Sequence, residues 1–262
     1  MVYYAVSDIH GFLTETKKAL EEKGFFDDAD AKLILCGDAL DRGDEVNETV
    51  DFLIDLMKKD KLIYIRGNHE DLMEMMLDQI AESGAYEIAR GLSHHMSNGT
   101  WDTALTLADM DVADAVRNPE KLVEKVKNSR FFKELLPVAI DYFETEKYIF
   151  THGYIPCKEG FRGFNSVYSY KENWRDAKEE DWDKARWYNG MQFACKHKIT
   201  EKGKTIVCGH YHTSYGHAVI GKTCSEYGED ADFSPFCAEG LMAIDGCTAY
   251  SGKVNCVKLE EK

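Results

Sequence analysis

Close cysteine pairs are missing from this chain: Cys36, Cys157, Cys195, Cys208, Cys224, Cys237, Cys247 and Cys256 form no C-x-x-C spacing. Zinc sites favour close ligand spacing, so these are expected to be free thiols, Cys36 and Cys208 packing as small hydrophobes in apolar strand runs. No apolar run approaches the roughly 20 residues that a membrane helix needs. Met1–Val6 enters a strand-like run directly, with no basic n-region and no long apolar h-region. No export signal is therefore visible, and a reducing, cytoplasmic location is expected. By the same logic the sequons Asn47-Glu48-Thr49 and Asn98-Gly99-Thr100 should carry no glycan. Basic residues are in deficit, 32 against 47 acidic ones, for a net charge of -15. Such a body repels nucleic-acid backbones and anionic lipid, which argues against DNA, RNA or membrane partners. Internal repeats and low-complexity tracts are absent as well.

What is present is the makings of a large core: 262 residues, 44% hydrophobic, enough for one α/β domain over 1–262 with a sizeable insertion. Val2-Val6, Lys32-Cys36 and Leu62-Ile65 are short β-prone runs. Two amphipathic segments, Leu13-Lys23 (stopped by Gly24) and Val46-Lys59, alternate with them, and the spacing predicts βαβ units. From about residue 71 to 134 the chain reads as a mainly helical insertion beside the strand ends, with breaks near Gly84, Gly91, Asn98-Gly99 and Asn118-Pro119. Strand character returns at Val138-Phe143, Tyr148-Thr151, Thr205-Cys208, Leu241-Ile244 and Val254-Leu259. Strands early and late with helices between predict two packed mixed sheets flanked by helices. Gly160-Asp183, rich in aromatics and charge, reads as a long surface loop.

Four strings carry the chemistry: Asp8-Ile9-His10-Gly11, Gly37-Asp38-Ala39-Leu40-Asp41-Arg42-Gly43, Gly67-Asn68-His69-Glu70 and Gly209-His210-Tyr211-His212. Each joins metal-ligand side chains to a glycine after a strand-like run, and in open α/β sheets ligands bind beyond the carboxyl ends of strands. Two divalent metals roughly 3.5–4 Å apart need a bridging carboxylate and further ligands on each side. Asp8 and His10 can both reach one metal, with Asp38 as the bridge. Asn68 offers a neutral oxygen to the second metal, and His152, in Thr151-His152-Gly153, adds an imidazole. His210 and His212 alternate about Tyr211 and point the same way if the segment is extended, His210 to the second metal and His212 to the first. His94, His95, His197 and His217 lack such context and read as surface or core residues. A bound metal pair would dominate the field of its own pocket, so the acidic body is compatible with a phosphorylated substrate.

These strings resemble the calcineurin-like metallophosphoesterase superfamily, and within it the bacterial-type phosphoprotein phosphatase branch with its G-D-x-H-G, G-D-x-V-D-R-G and G-N-H-E motifs. The resemblance covers Met1 to Glu70 and about Pro137 to Glu260. It implies a β-sandwich with a helical insertion, two divalent ions (Mn, with Fe or Zn as alternatives) and in-line attack on phosphorus by a metal-bridging hydroxide. It further implies that His69 is the general acid, held by Asp41, and that Arg42 and Arg66 clamp the phosphoryl oxygens. Ser7 stands where the family motif has its first glycine, and His212 is typical of the wider superfamily. The leading substrate is a phosphomonoester such as phosphoserine or phosphothreonine in a protein. Dinucleoside polyphosphate is the alternative, and the aromatics of Phe161-Trp187 could stack on a base.

Two rivals are weaker. Gly216-His217-Ala218-Val219-Ile220-Gly221-Lys222-Thr223 matches the P-loop pattern in full, but Cys224-Pro235 makes a poor helix to follow it, and a strand or hairpin is expected there. An inactive phospho-binding scaffold would have lost a ligand or the acid, and none is missing.

Overall fold

The three early apolar runs form strands β1 (Val2–Val6), β2 (Lys32–Cys36) and β3 (Leu62–Ile65) in this computed structural model, which describes residues 1–83, 93–162 and 165–261. Their register is parallel, Tyr4 opposite Leu33 and Leu35 opposite Tyr64. Helices α1 (Leu13–Glu22) and α2 (Val46–Lys58) form the crossovers. Val257–Glu260, which we label β11, closes the sheet as an antiparallel edge in the order β11-β1-β2-β3.

A second sheet has the order β4-β5-β8-β10-β9. Its strands are β4 (Phe143–Glu144), β5 (Tyr148–Phe150), β8 (Thr205–Cys208), β9 (Phe236–Ala238) and β10 (Leu241–Ala243). Strands β5, β8 and β10 are parallel, with antiparallel β4 and β9 at the edges.

Alternation of side chains along each strand builds three cores at once. Tyr3, Ala5, Ile34, Cys36 and Ile65 of the first sheet meet Phe150, Val207 and Ile244 between the sheets. Tyr4, Val6, Leu33 and Leu35 face the helical side with Leu20, Val50 and Leu53. Ile149, Ile206 and Leu241 face outward from the second sheet, against Trp182, Met191 and Phe193. The α/β sandwich of two mixed sheets is the architecture expected from the strand pattern.

The helical segment begins three residues before the approximate bound of 71. Helix α3 runs over Asn68–Ser83 and starts on the third ligand string itself. Helices Ser93–Ser97, Thr100–Ala108, Val112–Arg117 and Pro119–Lys127 follow. They share a core with α3 through Met73, Met76, Leu77, Trp101, Ala104 and Leu122. The breaks at Asn98-Gly99 and Asn118-Pro119 are observed, whereas those at Gly84 and Gly91 lie outside the described residues.

Three expectations are corrected. Residues 160–183 are not an irregular loop: β6 (Lys158–Arg162) and β7 (Asn165–Ser169) pair as a hairpin, and helix Glu179–Ala185 follows. Its aromatics explain this, since Trp174 and Trp182 are buried and Trp174 Nε1 donates to Glu201 at 3.0 Å. The Val138-Phe143 run is interrupted. Pro137 sits in a 3-10 turn over Leu136–Val138, Ile140 makes one isolated bridge to Ile65, and the strand begins only at Phe143. Gly216–Gly221 is a helical turn continuing Thr213–Tyr215 rather than a hairpin, and Gly216 packs against Met191 and Phe236. A P-loop needs an open loop of amides between strand and helix, and a helical turn offers none. All eight cysteines are free thiols. Among the described residues no helix is long and apolar enough to cross a membrane.

Candidate metal centre

Every ligand-bearing string falls at the carboxyl end of a parallel strand. Asp8 follows β1, Asp38 follows β2 and Asn68 follows β3. His152 follows β5 and His210 follows β8. Of the eleven non-glycine residues with positive φ among those described, six are Asp8, His10, Asp38, Asp41, Arg42 and His210. Left-handed backbone is costly for such residues, so the strain is concentrated where the strands hand over their functional side chains.

Asp38 sits between two sets of imidazoles. His10, Asp38 and His69 form one group with ligand atoms within 4.8 Å of one another, and Asp38, His152 and His210 form the other. Asp38 Oδ1 lies 3.3 Å from His152 Nε2, and Oδ2 lies 3.8 Å from His10 Nε2. Asp8 is buried beside them, its Oδ2 accepting from the His210 amide at 2.9 Å. Asn68 Oδ1 stands 2.8 Å from His152 Nε2 and 2.7 Å from His210 Nδ1.

The proton positions show what this donor set fits. His10 Nδ1 donates to the Leu40 carbonyl at 2.9 Å, and His152 Nδ1 donates to the Cys36 carbonyl at 2.8 Å. Both rings therefore turn Nε2 lone pairs inward, that of His10 meeting an Arg42 nitrogen at 2.9 Å, and the Nδ1 bonds to backbone carbonyls are the outer-partner arrangement that orients metal-ligating histidines. Burial holds His10 and His152 well below the usual imidazole range and lowers His210 to about 4, so all three are neutral at neutral pH. Around His152 Nε2 the Asn68 and Asp38 oxygens are acceptors too. Lone pairs converging on one point are satisfied by a cation, and divalent ions fit this set.

The carboxylates agree. Burial, and then the neighbouring Asp245, push Asp8 well above its ordinary value; burial, and then Asp8, do the same to Asp38. Burial raises Asp245 to about 6. Groups raised in the folded chain bind protons more tightly folded than unfolded. Without a cation their stabilising contribution is complete at acid pH and is lost as pH rises through the folded values. Mn²⁺ should therefore raise the melting temperature of chelator-treated protein more at about pH 7.5 than at about pH 5, where protons compete for the ligands. Paired thermal melts measure this, and an equal or larger shift at the acid pH contradicts it.

Arg42 and His69 complete the centre. Arg42 is exposed along part of its length, and its terminal nitrogens lie 2.9 Å from His10 Nε2 and 3.1 Å from His69 Nε2. His69 Nδ1 donates to Asp41 Oδ2 at 2.7 Å.

Two expected members are placed elsewhere. Arg66 is engaged by Asp71 at 2.6 Å and by Glu74, so its guanidinium is not turned to the centre. His212 lies outside both imidazole groups. Its Nδ1 meets Ser214 Oγ at 2.9 Å, its Nε2 meets Tyr227 Oη at 2.9 Å, and Glu226 is 3.4 Å away. His210 has φ +65°, so the segment is not the extended one on which that expectation rested.

The sequence also hid several contributors. Glu70 is buried and accepts from the Asp38, Ala39 and Gly67 amides and from Tyr64 Oη, tying the turns after β2 and β3 together. Its position in the third string was the available signal. Asp245, at the end of β10, had none beyond that strand. Ser7, in place of the motif's first glycine, is tied into the centre, since its buried hydroxyl contacts Asp8 and donates to the Cys36 carbonyl at 3.0 Å. Gly67 is required by close approach, because a Cβ there would lie 2.2 Å from Asp38 Oδ1.

Strand ends of two packed sheets, converging on a shared carboxylate and two sets of imidazoles, define an α/β protein built around a candidate dinuclear metal centre. The chain belongs to the calcineurin-like phosphoesterases, whose family model matches residues 1–240. It is 32% identical over 78 residues to the asymmetrical bis(5'-nucleosyl)-tetraphosphatase PrpE of Anoxybacillus flavithermus, covering 27% of this chain and 32% of that protein. It is 41% identical over 70 residues to a symmetrical bis(5'-nucleosyl)-tetraphosphatase of Pseudomonas fluorescens, covering 27% of this chain and 24% of that one. The matched stretches thus span a third or less of these curated relatives. Among solved structures, a mutant of a cold-active protein tyrosine phosphatase superposes with a TM-score of 0.51 at 15% identity, covering 99% of this chain and 75% of that one. A chain provisionally described as a diadenosine tetraphosphatase has a TM-score of 0.51 at 10% identity, covering 98% and 89%. At these identities the superpositions concern the fold alone.

Proposed function

We propose that this chain is a metal-dependent hydrolase of phosphate esters and anhydrides acting on dinucleoside polyphosphates of the diadenosine tetraphosphate type. The observation that carries the hydrolase reading is Asp38 shared between two imidazole groups, with Arg42 laid across one of them. In this reading Asp8, His10 and Asp38 would hold one divalent ion, and Asp38, Asn68, His152 and His210 would hold the other. Such ions, when bound, supply a nucleophilic water at neutral pH and offset charge on the phosphoryl oxygens.

The chain's own residues do the rest. The Arg42 guanidinium has a solvent-facing part and paired donors suited to two phosphoryl oxygens. His69, anchored through Nδ1 to Asp41, presents Nε2 to the leaving oxygen. As the P–O bond breaks, that oxygen takes a proton from His69, whose ring is held in place by Asp41. Arg66, neutralised by Asp71 and Glu74, has a structural part in this scheme.

Two observations favour a nucleotide substrate. Both curated relatives carry bis(5'-nucleosyl)-tetraphosphatase names. Trp187 is 44% exposed, 5.7 Å from the His210 ring and 6.5 Å from the His94 ring, a flat surface beside the centre on which a base can stack. The buried Trp174 and Trp182 serve the core instead. The second reading, a serine/threonine protein phosphatase, is favoured by the Asp41-Arg42-Gly43 and Gly67-Asn68-His69-Glu70 strings.

Incubation with Mn²⁺ and either diadenosine tetraphosphate or a phosphoserine peptide separates the two. Nucleotide formation at a kcat/KM at least about tenfold above phosphate release from the peptide is expected, a preference of roughly 1.4 kcal/mol in transition-state binding. Symmetrical cleavage gives two ADP, and asymmetrical cleavage gives AMP and ATP. The reverse preference supports the protein-phosphatase reading. Inactivity on both substrates and on p-nitrophenyl phosphate rejects the hydrolase.

A further inference from the structure

Among the described residues, the helical segment after α3 meets Asp41 and Arg42 at Asn98-Gly99-Thr100. Thr100 is fully buried, and its hydroxyl donates to Asp41 Oδ2 at 2.8 Å, the same oxygen that takes His69 Nδ1 at 2.7 Å. Gly99, at φ +83°, lies flat on the next residue: a Cβ there would sit 2.4 Å from the Arg42 amide nitrogen. Asn98 Oδ1 accepts from the Arg42 guanidinium at 3.4 Å, while its Nδ2 donates to the His94 carbonyl at 2.8 Å. Three consecutive residues from a different part of the chain thus grip Asp41 and Arg42. Both gripped residues have positive φ, 78° and 71°, and such a backbone needs outside support.

From this geometry we propose that Thr100 is a positioning residue for the reaction, setting the Asp41 carboxylate so that His69 is held with Nε2 facing the leaving group. The proposal rests on the reading of His69 as proton donor. The physical need is specific. A carboxylate rotates about its last torsion, and one hydrogen bond from an imidazole does not determine which lone pair is used. A second donor on Oδ2 leaves one orientation of the carboxylate and hence one of the ring. Solvent does not substitute on the inner side. The space there, lined by Leu40, Met73 and Phe131 together with Asp41, His69 and Glu70, is too small for a water molecule. The hydroxyl serves no helix cap, because Gly99 occupies the N-cap of Thr100–Ala108. Thr100 touches no substrate in this arrangement and acts only through Asp41.

The test compares Thr100→Val, which keeps the shape, Thr100→Ala, which removes the same hydroxyl with less bulk, and Thr100→Ser, which retains it. Each Mn²⁺-loaded protein is assayed for kcat and KM on phenyl phosphate, whose leaving group needs a proton, and on p-nitrophenyl phosphate, whose leaving group needs one far less. Thr100→Val and Thr100→Ala should lose kcat on phenyl phosphate by about ten- to a hundredfold, the usual effect of removing an outer partner. On p-nitrophenyl phosphate the loss should be under about threefold, with KM and metal content unchanged and Thr100→Ser near wild type. Equal losses on the two esters, wild-type kcat on both, or a Thr100→Ser variant as slow as Thr100→Val each overturn the proposal. His69→Asn serves as the reference. If it shows no leaving-group bias while the wild type is active, the proton-donor reading falls and takes this proposal with it. If His69→Asn shows the bias and Thr100→Val does not, only the role of Thr100 is lost.

Discussion

Asp38→Asn is expected to strip the protein of both divalent ions and to lower kcat/KM well beyond the roughly ten- to hundredfold that loss of an outer-partner residue costs. Asp38 is the one side chain common to both imidazole groups. Its Oδ1 faces His152 and its Oδ2 faces His10 and His69, at 3.3 to 3.9 Å. An amide keeps one acceptor oxygen and turns an NH₂ toward the other group, so one side loses its anionic ligand and the other has a weaker one. Metal analysis after gel filtration decides the matter, and near-normal content of both ions refutes the sharing role. The same substitution should not harm folding. Burial, and then Asp8, hold the Asp38 pKa well above its ordinary value, so its charged form is unfavourable in chelator-treated protein at neutral pH. Asp38→Asn should therefore melt at or above the wild-type temperature in chelator and show no further rise with Mn²⁺. Loss of function with gain of stability is the signature of a residue retained for chemistry.

Glu70→Ala is expected to do the opposite, removing stability first. Glu70 is 1% exposed, and its carboxylate accepts from four donors: the amides of Gly67, Asp38 and Ala39 at 2.7, 3.1 and 3.0 Å, and Tyr64 Oη at 2.7 Å. Each buried donor left unpaired costs about 1–3 kcal/mol. Even with partial relaxation the loss should reach about 4 kcal/mol, a large part of the roughly 5–15 kcal/mol that holds a domain together. That corresponds to a fall in melting temperature on the order of 10 °C. Glu70→Gln retains the shape and one acceptor and should fall in between. A Glu70→Ala protein melting within about 2 °C of wild type would show that the four donors find other partners.

These two residues sit in strings of the same appearance, yet their surroundings differ, and only the proposed role of Asp38 was suggested by the sequence. Asp38 was legible because a carboxylate at a strand end, between glycine turns, has few other uses. The three parallel strands of the first sheet were legible to the residue, with β1, β2 and β3 at the expected bounds, since apolar runs closed by polar turns are local signals. The edge strand expected over Val254-Leu259 begins only at Val257. The hairpin of Lys158–Arg162 with Asn165–Ser169 was not. Charged and aromatic residues mask its alternation, and burial of Trp174 and Trp182 depends on partners such as Glu201 that lie far along the chain. Arg66 and Arg42 carry the same guanidinium, and nothing local tells that Asp71 and Glu74 claim one while the other reaches the imidazoles.

Residue chemistry and short-range pattern alone determined which ligand types this protein carries, that they stand at strand ends, and that they number enough for two ions. Tertiary structure decided which lone pairs meet. The Asp8 carboxylate finds the His210 amide across 202 residues, and Thr100 finds Asp41 across 59. His212, expected at the centre, meets Tyr227 and Glu226 instead. Strand formation and turn preference are settled over a few residues. The direction of a ring or a carboxylate is set by neighbours from other segments, and those neighbours exist only in the folded chain.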